Sequence, residues 1–90
     1  MVRPDPIPKS NRLGIEFLDT ELKLAHTFMD SAAISQYADR IMQSHKDAQT
    51  AYRSVLHFLP RLKLSPEEQI DFDRRLEALR DRLVEAGVQP

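Results

Sequence analysis

The chain has no cysteine and no tryptophan, only two glycines, and an aromatic fraction of 7% over 90 residues. Without cysteine there can be no disulfide, no thiolate zinc site and no thiol nucleophile. With so few aromatics, the core must be aliphatic. Gly14 and Gly87 are the only glycines and stand in no phosphate-cradling loop; neither a P-loop, a nucleophile elbow nor a metalloprotease motif occurs. There is no run of 18 apolar residues, so no membrane-spanning segment is expected. The first twelve residues lack the apolar segment of a signal peptide, and a soluble cytoplasmic protein is the expectation. Strict apolar/polar alternation and hairpin turn signals are missing too, which argues against strands.

Charge of one sign is also lacking. Thirteen basic and fourteen acidic residues leave a net charge of -1, unlike a protein whose main task is neutralising phosphates. What remains is an apolar fraction of 41%, enough for one small core.

That apolar content is helically spaced. Ile15, Leu18, Leu22, Ala25, Met29 and Ala32 step 3,4,3,4,3, one face of a helix that starts after Ser10 or Asn11 and ends near Ala33. Ala38, Ile41, His45, Ala48, Tyr52, Val55 and Leu59 continue the rhythm in a second helix beginning near Ser35. Pro60 must stop or bend it, because it removes an amide donor. Ser65-Pro66-Glu67-Glu68 reads as an N-cap, a first-turn proline and a capping box. A third helix then carries Phe72, Leu76, Leu79, Leu83 and Ala86, with Gly87 as its stop. The expected fold is all-α: an antiparallel three-helix bundle over residues 11–90. It is preceded by an extended proline-rich arm over residues 1–10, in which Ile7 is the one candidate anchor. Such an arm is either a frayed terminus or a ligand for a proline-binding domain.

Antiparallel turns near residues 35 and 62 predict four core layers: Leu18/Tyr52/Phe72, Leu22/Ala48/Leu76, Ala25/His45/Leu79 and Met29/Ile41/Leu83. Large faces small in the middle two, as close packing requires.

Three features bear on function. His45 is either a boundary histidine beside Ala25 or a metal ligand with His26; the second needs a third ligand, for which Asp30 is the nearest candidate. The expectation is no metal and no cofactor. Lys46, Arg53, His57 and Arg61 share a face of the second helix. That face is either an ordinary solvated surface or a contact for phosphates, though no aromatics interleave with it as a single-strand binder would want. Phe17, Leu24 and Phe28 widen the apolar arc of the first helix to roughly 180°, well beyond the usual stripe. This shoulder either packs on the third helix or meets another chain.

The segment Ala48, Tyr52, Val55, Pro60 resembles the second half of a tetratricopeptide repeat: a small residue, an aromatic four later, a small residue three later and a proline five beyond. Val55 is larger than that pattern's usual alanine. Upstream, Ala32, Ser35, Gln36 and Asp39 depart from the first half. The layout is also similar to three-helix modules of the microtubule-interacting-and-trafficking type. Both resemblances imply a peptide- or protein-binding module without catalysis, and neither identifies binding residues. The expectation is therefore a non-catalytic helical interaction module that self-associates as a homodimer through Phe17, Leu24 and Phe28. The alternative is a small nucleic-acid-associated protein using the basic face of the second helix.

Overall fold

A computed structural model describes the backbone of residues 6–90 and the side chains from Ser10 onward. Three α-helices follow one another: α1 (Pro6–Ile34), α2 (Ala38–Phe58) and α3 (Pro66–Glu85), with a 3-10 turn (Leu59–Arg61) after α2. Among the described residues there is no strand. The fold is the expected all-α three-helix bundle. Chain neighbours run antiparallel, and α1 and α3 run parallel, as Asp19 meeting Arg75 and Asp30 meeting Arg82 show.

The start of α1 differs from expectation. It begins at Pro6, so residues 6–10 of the expected arm are helical. Pro6 and Pro8 are compatible with this, because the first amides of a helix have no intrahelical acceptor to lose. Residues 1–5 of that arm, and the Ile7 side chain proposed as its anchor, lie outside the described residues. The start of α2 moves the other way, to Ala38. Ser35 accepts from the Tyr37 amide at 3.2 Å, a local turn that competes with helix.

The other boundaries follow the local chemistry. Pro60 ends α2, and the chain tightens into the 3-10 turn, where the Leu62 amide donates to Leu59 at 3.1 Å. Ser65 Oγ accepts from Glu68 N at 3.1 Å while Ser65 N donates to Glu68 Oε1 at 2.8 Å, a complete capping box. At the far end Gly87 has φ +79°. Gly87 N donates to Val84 at 2.9 Å and Val88 N to Leu83 at 2.8 Å, the paired bonds of a Schellman stop.

Most of the residues expected in the core are buried. Leu18, Leu22, Ala25, Met29, Ala48, Tyr52, Phe72, Leu76, Leu79 and Leu83 are all buried. His45 and Ile41, placed in the third and fourth layers, are only half-buried. Both line an open cleft with Met29 and Arg82 at the edge of the bundle. Ala51, outside those layers, is buried. The backbones of α1 and α2 approach each other more closely than either approaches α3. The cause is side-chain size: Ala25, Ala32, Ala48 and Ala51 are buried on these two helices and let their backbones approach, whereas α3 contributes Phe72 and three leucines.

Candidate functional site

The two flanks of α1 differ in chemistry. Ile15, Asp19, His26 and Asp30 face α3. Ile15 lines a cleft with Phe72. Asp19 Oδ1 meets Arg75 Nη1 at 2.8 Å, and Asp30 Oδ1 meets Arg82 Nη2 at 2.7 Å. Arg75 is held further by the Asp19 carbonyl at 3.3 Å, by Asp71 at 3.3 Å, and by the Phe72 ring 5.5 Å below its guanidinium. Lys23 Nζ also reaches Asp19, at 2.9 Å. The Lys23 hydrogen bond, then Arg75, hold the Asp19 carboxyl below its ordinary range against the opposing effect of burial.

The shoulder lies on the opposite flank, so it does not pack on α3. Phe17 is 52% exposed and Leu24 42% exposed, while Phe28 is half-buried against the core. Phe17 borders a cleft of about 180 Å³ with Gly14, Leu18, Phe58 and Leu62. Two residues enlarge the surface beyond what the sequence suggested. Leu13, one turn before Phe17, is 57% exposed, and Phe58 of α2 is 42% exposed. Leu13 was legible from its i,i+4 spacing to Phe17. Phe58 joins the patch only through the α1–α2 packing. A second exposed cluster, Ile34, Tyr37 and Met42, stands at the α1–α2 corner, where Ile34 and Tyr37 border a cleft of about 530 Å³.

The histidine pair is arranged otherwise than a metal site needs. Arg82 Nη1 lies 3.1 Å from His26 Nδ1, and Arg82 Nη2 2.7 Å from Asp30 Oδ1. A permanent cation thus bridges two of the three groups considered as ligands. Among the described residues, no group of three or more His, Asp or Glu side chains is placed to hold an ion.

The basic face of α2 is partly engaged. Arg53 Nη2 donates to the Pro90 carbonyl at 3.4 Å. His57 stands edge-on to Phe58 with centroids 4.7 Å apart, and the Arg61 guanidinium lies 5.7 Å over the same ring. Lys46 is exposed. Ala48, Tyr52 and Val55 are buried and Pro60 lies in the 3-10 turn, so packing and helix termination account for the spacing that resembles a tetratricopeptide helix.

No protein-family model matches the chain, and no curated protein or solved structure matches it. Among the described residues, no helix is long and apolar enough to cross a membrane.

Proposed function

We propose that this chain is a non-catalytic helical interaction module that pairs with a second copy of itself through the open flank of α1. The observation that carries this reading is the exposure of Phe17 and Leu24 on the side of α1 that α3 leaves uncovered. Leu13 on the same helix, and Phe58, which borders a cleft with Phe17, add apolar side chains to a chain whose own core is small. Each of Phe17 and Leu24 leaves on the order of 70–100 Å² of apolar surface in water, worth roughly 2 kcal/mol per side chain when covered, before the cost of association. A two-fold pair is the simplest closed arrangement that covers it.

Sedimentation equilibrium across micromolar concentrations tests the pairing. Wild type should sediment as a dimer and Phe17→Glu/Leu24→Glu as a helical monomer, since both side chains are exposed and their replacement leaves the core intact. A folded wild-type monomer throughout that range overturns self-association. A double variant that stays dimeric moves the contact elsewhere, the Ile34/Tyr37/Met42 corner being the next surface to alter.

A further inference from the structure

We propose that His26 is a proton-gated latch: its protonation ejects the Arg82 guanidinium and loosens the C-terminal half of α3 from α1. This inference does not depend on the dimer.

Arg82 reaches across from α3 to three acceptors on α1. They are His26 Nδ1 at 3.1 Å, the His26 carbonyl at 3.3 Å and Asp30 Oδ1 at 2.7 Å. A guanidinium can only donate. Nδ1 must therefore present its lone pair, and the neutral ring carries its proton on Nε2. Adding a proton turns Nδ1 into a donor. Two N–H groups then point at each other, and two cations stand at hydrogen-bond distance.

The surroundings do not rescue the charged ring. The charged groups acting on it are Arg82 and Arg75 of α3 and Asp30 of α1 itself; among the described residues, α2 supplies none. Asp30 is already shared with Arg82. Burial of the ring, then Arg82, with a smaller part from Arg75, hold its pKa below the ordinary 6.5 despite the opposing pull of Asp30.

The sign follows from linkage. Well above pH 6.5 the ring is neutral whether the latch is shut or open, and the contact is at full strength. Below that value the released ring takes up a proton before the latched one does. Opening is then favoured by up to about tenfold per pH unit, until the latched ring itself titrates. The other α1–α3 tie responds in a different window, because Asp19 is held below 3.8 and keeps its charge on Arg75 through mild acid. The chain end also stays attached, since the Gln89 and Pro90 carbonyls accept from Gln49 and Arg53 of α2. Mild acid thus acts on one half of one helix, and the core side chains beneath it, Leu79 and Leu83, are fully buried when the latch is shut.

The test is amide hydrogen exchange of residues 66–86 at pH 7 and pH 5.5, normalised for intrinsic exchange, together with the NMR titration of the His26 ring. Protection of residues 79–86 should fall on acidification, by at most about eightfold over this interval, while residues 66–75 hold theirs. In His26→Asn, which keeps an acceptor near the Nδ1 position but cannot titrate, the difference should vanish. A His26 ring that titrates at or above 6.5 in the folded protein overturns the latch. So does an equal loss of protection in His26→Asn. Should that variant fail to fold, the wild-type ring titration and the contrast between the two halves of α3 decide the matter alone.

Discussion

Replacing Asn11 by alanine should destabilise the bundle, although Asn11 is a polar residue outside the buried core. Its carboxamide lies along the backbone of Lys63 in the α2–α3 connection. Nδ2 donates to the Lys63 carbonyl at 2.7 Å, and the Lys63 amide donates to Oδ1 at 2.6 Å. One side chain thereby satisfies both polar groups of a residue that has no helical partner. Each such bond contributes about 0.5–1.5 kcal/mol net, and water can replace both at this exposed site, so the low end applies to each. Alanine returns about 0.6 kcal/mol of helix propensity. The balance is a net loss of about 0.4 kcal/mol, or roughly 2–3 °C in Tm for a domain of this size. Asn11→Asp separates the two bonds. It keeps the acceptor for Lys63 N but turns a carboxylate oxygen toward the Lys63 carbonyl, and should be destabilised as well. Thermal and urea unfolding followed by circular dichroism give the comparison. An Asn11→Ala midpoint equal to or above wild type would refute the reasoning, because propensity alone would then describe the site.

Ser65→Ala should cost about 1 kcal/mol by removing half of the capping box, and an unchanged unfolding midpoint would show that α3 does not depend on it. Ala48→Leu inserts three carbons at a fully buried position of α2 and should cost about 1–3 kcal/mol by overpacking. Ala78→Leu, the same change at an exposed position of α3, should stay within about 0.5 kcal/mol of wild type. Equal effects of the two alanine changes would mean that the close approach of α1 and α2 is not set by small side chains.

Helix number, the α3 start and stop, and the core stripe were legible because each has a local cause. Ser65 and Glu68 cap each other across three residues, Gly87 takes a positive φ, and a 3.6-residue period needs no partner to be read. Boundaries failed where a local alternative competes. Ser35 engages the Tyr37 amide and delays α2, and the amides missing at Pro6 and Pro8 have no acceptor to lose, so α1 starts early. His45 and Ile41 carry the right spacing but fall at the rim, since periodicity fixes a face and not its depth. Asn11 was read as a place for α1 to start and Gly14 only as a glycine outside any phosphate loop, because the role of each is a contact with the distant α2–α3 connection, at Lys63 and Leu62. The apolar shoulder of α1 was visible in Phe17, Leu24 and Phe28, but which flank α3 would take was not.

That choice of flank runs against apolar area alone. Phe17, Leu24 and Phe28 offer α3 more hydrocarbon than Asp19, His26 and Asp30 do, yet α3 lies on the polar side. One reason is the route of the chain. Leu62 sits so close to α1 that a Cβ at Gly14 would come within 2.7 Å of Leu62 Cδ2, and Asn11 holds the next residue, so the connection is fixed on α1 before α3 starts. The second reason is the cost of the wrong docking. On the apolar flank, Arg75 and Arg82 would be desolvated against Phe17 and Leu24 with no carboxylate to meet them, a larger penalty than the area gained. The pairs on the correct side involve carboxylates still 36% and 70% exposed, and partners so wet add little to stability. Their effect is to make the alternative worse, a matter of specificity. The apolar flank is left open by that selection, not by the lack of a helix able to cover it.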